Sequence, residues 1–484
     1  MAYGGDGESD PGVQTNGIQS TGHAPVQGAD PPPSKLILCF DGTGNSYTGD
    51  TSDTNIVKLY QKFDRDAGDQ YHYYQRKLPP RSLSSSALLT PIFAAGIGTY
   101  SADEKSLNAG YWGRFKRWIS EAVDEGVGTT FDQHVIGGYK FIQRYYNAGD
   151  KIYIFGFSRG AFTARFLARM IATVGLLSRG NEEMVAFAYV SYQDYELGGG
   201  RFSTAQQAEH YMNSFKTTFC RAQVRVHFLG LFDTVNSVGL FDWPFSRTKY
   251  LPSVLDTAAH VRHAVAIDER RAKFKAALLQ QDKTNANHVT EDIKEVYFPG
   301  QHGDIGGGWL AEGNLDVTEE NDPLQLSDIT LEWMITEIEN LPIKKPEHRI
   351  SWNKHKDIFL NNFRRKSDKA VSASMHDVLK FGGGISYFGT FCWHILGKSI
   401  RFFLFVCFWM KGTSLISRAA EWLPIFKRLE LIKSEWKSVV FPPNMGASRD
   451  IPEEAVFHPA VQARMMKLKD YRPKNQGICK LNGA

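Results

Sequence analysis

At 484 residues the chain is long enough for two or three domains, or for one decorated α/β domain. Hydrophobic residues at 42% and charged residues at 22% are those of a globular protein, and a formal net charge of +4 at this length leaves no basic footprint for a nucleic-acid partner. The cysteines (Cys39, Cys220, Cys392, Cys407 and Cys479) are odd in number, scattered and without metal-ligand spacing, which points to a reducing compartment and away from a disulfide framework or zinc site.

The N-terminus lacks a basic-then-apolar leader pattern, so cytoplasmic residence is expected. Residues 1–34 are rich in Gly, Asp, Gln, Ser and Pro and nearly devoid of large apolar side chains, which predicts a disordered tail. Lys35 to Phe40 is an apolar run that reads as a buried strand, ending in the turn Asp41-Gly-Thr-Gly-Asn45. No Gly-Lys-Ser/Thr follows, so this turn is not a phosphate-binding P-loop. Asp41 either holds the turn through an Asx bond or shapes a site there. A helix is predicted over Thr54 to Phe63, strands over Tyr71 to Gln75 and Ile92 to Ala95, and an insertion loop between those strands over Lys77 to Thr90. Helical patterns at Trp112 to Val127 and Thr130 to Tyr146 follow, the second stopped by Asn147-Ala-Gly-Asp150.

Ile152 to Phe155 predicts a strand buried on both faces, and Gly156-Phe-Ser158-Arg-Gly160 after it has the G-x-S-x-G form of a nucleophile elbow. Ala161 to Val174 is free of Gly and Pro, with apolar residues at helical spacing, so the strand–turn–helix context is present. Asn181 to Thr218 is mostly polar and helical and is expected to form a cap or insertion over the sheet. Val224 to Phe232 is the next β run, ending at Asp233, and Leu240 to Pro252 reads as a loop. His260 to Arg271 fits helix or strand. Ile293 to Phe298 is the last clear core strand and leads into Pro299-Gly-Gln-His302-Gly-Asp304. A helix is expected from about Ser327. Alternation of helix, Gly-containing stop and buried strand predicts an α/β fold, a doubly wound, mostly parallel sheet of α/β-hydrolase type with helical insertions and an α-helical C-terminal extension. The expected division is a catalytic domain over 35–345, carrying the insertion near 181–218, and a helical, aromatic-rich region over 346–484.

Serine hydrolysis needs a base for the hydroxyl proton and an acid to orient that base. Ser158, Asp233 and His302 each follow a predicted strand, in the Ser–Asp–His order of doubly wound hydrolases. Asp268 also precedes His302 and is the alternative acid, although Glu269, Arg270 and Arg271 beside it suggest a local ion-pair cluster. The oxyanion donors are expected from the backbone of Arg159 and from Gly42 or Thr43. Asp304 is expected to pin the His302 loop through backbone bonds or to pair with an arginine. This chemistry calls for no cofactor and no metal.

The motifs at 36–45, 156–161, 230–235, 263–271 and 298–308 together resemble the α/β-hydrolase family of type VI secretion phospholipase effectors, which has many bacterial and fungal homologues. The resemblance covers about residues 35 to 340. It implies a Ser–Asp–His carboxylester hydrolase, with phospholipase A activity in the bacterial effectors, and the triad carries over to Ser158, Asp233 and His302. The tail and the ending around His458 and Tyr471 look more like the fungal intracellular members. The expected partner is a small-molecule or lipid ester. Ile385 to Met410 is dense in aromatics within a fringe of Lys398, Arg401, Lys411, Arg418, Lys427 and Arg428. Its densest part is too short to span a bilayer. It reads either as a buried cap or as an interfacial element giving peripheral membrane contact through 385–430. Two other functions use the same features: a catalytically inactive hydrolase fold binding a membrane or partner through the C-terminal region, and a thioesterase or peptidase using the same triad.

Overall fold

The computed structural model describes residues 32–42, 47–75, 131–197, 202–221, 223–235, 253–271, 274–279, 292–311, 323–377, 379, 428–432, 435–439 and 446–475. The tail up to residue 31, Thr43, the elements expected between 77 and 127, the loop at 240–252 and the aromatic segment 385–427 lie outside the described residues. The described residues from Pro33 onward form one compact unit.

Seven strands make one sheet: β1 (Lys35–Phe40), β2 (Gln70–Gln75), β3 (Lys151–Phe157), β6 (Val226–Phe232), β7 (Ala258–Ala266), β8 (Asp292–Phe298) and β11 (Val456–Phe457). Their order is β11-β8-β7-β6-β3-β1-β2, and every ladder is parallel. Side chains alternate along each strand, so the sheet feeds two cores. Leu36, Leu38, Ile152, Ile154, Leu229 and Leu231 face α2 (131–145) and α3 (Arg159–Val174). On the opposite face, Ile37, Cys39, Tyr153, Phe155, Phe228 and Phe298 meet α1 (Asn55–Lys62), α7 (Leu326–Glu339) and α8 (Lys354–Ser372). Helices on both faces of a parallel sheet are the doubly wound α/β arrangement.

The expected insertion forms α4 (Val185–Leu197) and α5 (Ala205–Phe219), with the short strands β4 (Leu176–Leu177) and β5 (Cys220–Arg221) pairing at its base. It packs on the outer side of α3, where Phe166 meets the Tyr192 ring edge-on and Arg169 bonds Glu196 at 2.8 Å. The ambiguous stretch after His260 resolves as strand β7. It lies between β6 and β8, where a helix would break both ladders. Beyond residue 345 the chain adds α8, the hairpin β9 (Arg428–Ile432) and β10 (Glu435–Val439), strand β11 and α9 (Pro459–Lys467). The sheet therefore does not end at β8. The seventh strand has two residues, too few to register as a period-two pattern. Among the described residues no helix is long and apolar enough to cross a membrane.

The chain leaves β1 for β2 on one side and returns as β3 on the other, so the strand order reverses between β1 and β3. A crevice outside the carboxyl ends of the strands is expected there. The ladders run one step into the loops at that end: Ser158 N–H donates to Phe232 O at 3.0 Å, Asp233 N–H to Ala264 O at 2.7 Å and Ile267 N–H to Phe298 O at 3.1 Å. These bonds fix where the loop residues begin.

Candidate active site

Ser158 stands between the last residue of β3 and the first of α3, at φ 58° and ψ −122°. A side chain is seldom found there, and the flanking glycines make it attainable. A Cβ on Gly156 would come within 2.5 Å of the Ala161 Cα and Gly160 O, and one on Gly160 would land on the carbonyl oxygen of Phe40. The elbow is thus pressed against the end of β1, and glycine is required on both sides.

His302 opens the short helix α6 (His302–Gly306) after β8. Its Nε2 lies 2.8 Å from Ser158 Oγ, and its Nδ1 lies 2.6 Å from Asp233 Oδ2. All three side chains are buried. The imidazole is held between the rings of Phe157 and Phe274, each with its centroid 4.8 Å away. Burial lowers the pKa of His302, with the bond to Asp233 opposing. Asp233 also sits at positive φ, 38°. Burial alone would raise its pKa, but Arg449 and His302 hold the carboxyl far below the ordinary value.

Asp268, the alternative acid, faces elsewhere: its Oδ2 accepts from Gly300 N–H and Tyr471 Oη, both at 2.8 Å. The ion-pair cluster expected beside it is present in altered form. Glu269 pairs with Arg271 at 2.7 Å, whereas Arg270 reaches Asp377 at 2.6 Å. Glu269 also accepts the His302 N–H at 3.2 Å, so it seats the histidine backbone. Burial would raise its pKa, but Arg271 takes it down to about 2.

Asp304 pins its own loop by accepting from Gln301 N–H at 2.9 Å; its side-chain partner is a histidine and not an arginine, His376 Nδ1 at 2.7 Å. Asp41 ties together the loop after β1, accepting from Tyr74 Oη at 2.8 Å, Thr54 Oγ1 at 2.9 Å and Gly42 N–H at 2.7 Å. In that last bond Gly42, one of the two residues expected as second oxyanion donor, gives its N–H to Asp41 Oδ1. The Arg159 N–H begins α3, at the positive end of the helix dipole.

Sequence reasoning missed Arg449. Its Nη1 lies 2.6 Å from Asp233 Oδ1 and its Nη2 lies 2.9 Å from Oδ2, with both residues buried. It lies 216 positions from its partner, in the polar stretch Gly446-Ala-Ser-Arg-Asp450, where a single arginine reads as solvated. Among the described residues no cluster of histidine, cysteine and carboxylate side chains could hold a metal ion.

The chain is similar to several known proteins. The uncharacterized protein YEL023C of Saccharomyces cerevisiae is 27% identical over 589 aligned positions, covering 91% of this chain and 80% of its own. A crystal structure of an uncharacterized protein from Pseudomonas aeruginosa aligns with a TM-score of 0.33 at 18% identity, over 68% of this chain and 48% of that one. The structure of the Tle1 effector bound to the VgrG spike of the type VI secretion system aligns with a TM-score of 0.28 at 17% identity, over 67% and 65%. The chain therefore spans about half to two thirds of those solved chains. The family model for the catalytic domain of T6SS phospholipase effectors of Tle1-like type matches residues 34–337, well over half of the chain, and the protein belongs to that family.

Proposed function

We propose that the protein is a serine hydrolase that cleaves carboxylic esters of lipids, phospholipids first among them, through Ser158, His302 and Asp233. The observation that carries this reading is the unbroken hydrogen-bond chain from Ser158 Oγ through the imidazole to Asp233 Oδ2, at 2.8 and 2.6 Å. With Asp233 ionised, His302 Nδ1 keeps its proton as donor and Nε2 is left as the base. Ser158 Oγ attacks the ester carbonyl, and its proton passes to Nε2. The tetrahedral oxyanion is met by the Arg159 N–H at the start of α3. Collapse breaks the bond to the leaving alkoxide, which takes the proton from Nε2. A water molecule then hydrolyses the acyl-serine by the same route. Membership of a phospholipase effector family supports a lipid acyl group as the substrate. The aromatic and basic composition of 385–430 supports contact with an anionic membrane surface.

The test is labelling with a fluorophosphonate probe alongside fatty-acid release from phospholipid vesicles. Wild-type protein is expected to label and to release fatty acid, and Ser158→Ala and His302→Ala to do neither. Labelling that survives in Ser158→Ala would remove the serine from the reaction. Thioester and peptide substrates in the same assay separate the remaining acyl-transfer chemistries.

A further inference from the structure

Arg449 approaches Asp233 from outside the matched catalytic domain and engages both carboxylate oxygens, one of which also meets His302. Its other bonds hold it firmly: Nη1 donates to Ala266 O at 3.1 Å, and Nη2 to Phe274 O. Asn475 Nδ2 holds the Arg449 carbonyl at 2.7 Å and Ile267 O at 2.9 Å, tying the residue to the end of β7. A planar guanidinium on both oxygens fixes the plane of a carboxylate, which a point charge cannot do. We propose that Arg449 is a positioning residue for the triad: it clamps Asp233 in the plane that meets His302 Nδ1 and shares the negative charge on which a protonated His302 would otherwise draw. This rests on the ester-hydrolase reading above.

The consequence is a base that stays neutral into acid. The ionisable groups facing His302 and Asp233 are Ser158, Glu269, Arg271, Arg449 and Tyr297. Arg449 is the cation among them bonded directly to the acid. Without it, the bare Asp233 carboxylate would stabilise the imidazolium, and His302 would hold its proton to higher pH.

The test compares full-length wild type, Arg449→Gln and Arg449→Lys by the pH profile of kcat/KM on a soluble p-nitrophenyl ester. Arg449→Gln is expected to move the acid limb upward by about one pH unit, a tenfold change in the proton affinity of the base. Arg449→Lys, which keeps the charge and loses the fork, is expected to move it less than half as far while lowering kcat. If both variants keep the wild-type acid limb and lose only amplitude, the role is structural and the proposal fails. Should Arg449→Gln not fold, Arg449→Lys decides alone: an acid limb at the wild-type position, whatever the kcat, overturns the proposal. Should wild type show no Ser158-dependent turnover, the ester-hydrolase reading has failed instead, and NMR titration of the His302 imidazole in the same variants still tests the clamp.

Discussion

Of the four non-glycine residues at positive φ among those described, two are Ser158 and Asp233. Each such conformation costs about 1–3 kcal/mol and persists where the surroundings over-determine it. Here the surroundings are identifiable: the backbone bonds from Ser158 to Phe232 and from Asp233 to Ala264, and the carboxylate's acceptance of the Ala266 N–H at 2.9 Å. The elbow has no slack toward β1, so Gly160→Ala should destabilise the protein by about 1–3 kcal/mol, as overpacking does. It should also displace Ser158 Oγ and lower turnover more than the stability loss accounts for. Gly68, where an added Cβ would meet nothing within 4 Å, is the control: Gly68→Ala should leave the stability measured by urea unfolding within about 0.5 kcal/mol of wild type. A second contrast concerns the two aspartates. Asp233→Asn should lower kcat by about 10³- to 10⁴-fold, because an amide favours the wrong imidazole tautomer. Asp268→Asn should keep most of the activity, since Asp268 bonds Gly300 and Tyr471 and not His302. Equal losses in the two variants, with both folded, would reopen the identity of the acid.

Asp268 matters instead for how the elements are joined, because through it the end of β7 holds both the loop after β8 and the chain following α9. Burial raises its pKa to about 6, with the bonds from Gly300 and Tyr471 opposing. A carboxyl raised in the folded state keeps a proton that the unfolded chain has already lost. Its contribution to stability therefore falls as pH rises from about 4 to 6. Asp268→Asn has no such proton to lose. Urea titrations should find it more stable than wild type at pH 7.5, by about 1–2 kcal/mol, and no more stable below pH 4; an unchanged difference across that range would contradict the assignment. The elements themselves were legible in sequence to unequal degrees. β1, β3 and β6 announce themselves because strands buried on both faces are short apolar runs, and β8 is readable from its buried apolar end, Val296 to Phe298. β7 did not, since His260, Arg262 and His263 interrupt its run. Those residues are accommodated by pairing across the sheet: Arg262 with Asp292 at 2.6 Å and His263 with Glu295 at 2.9 Å. The partner residues lie on β8, about thirty positions away, where no local pattern can point to them.

At the scale of the whole molecule the same limit recurs. Ser158, Asp233 and His302 were readable because each follows a strand and together they obey a known order. Arg449 follows no such rule, and its role exists only once β11 and α9 are docked. Val456 and Phe457 pair with β8, Val461 packs with Ile267, Leu278 and Tyr297, and Arg464 donates to Val371 O at 2.6 Å. The C-terminal region is thus part of the fold that supports the acid. A chain ending at residue 345 would lose Arg449 and leave Asp233 a buried charge without its cation, and removing one partner of a buried pair costs about 3–5 kcal/mol. It would also expose the β8 edge and the apolar side chains that α8 and α9 cover. Against a typical total stability of about 5–15 kcal/mol, these losses should leave residues 33–345 without a cooperative unfolding transition and without fluorophosphonate labelling. Supplying residues 346–484 as a separate chain should restore labelling in part, and should restore less when that chain carries Arg449→Gln. A fragment 33–345 that unfolds cooperatively and labels at the wild-type rate would show that the matched domain is self-sufficient.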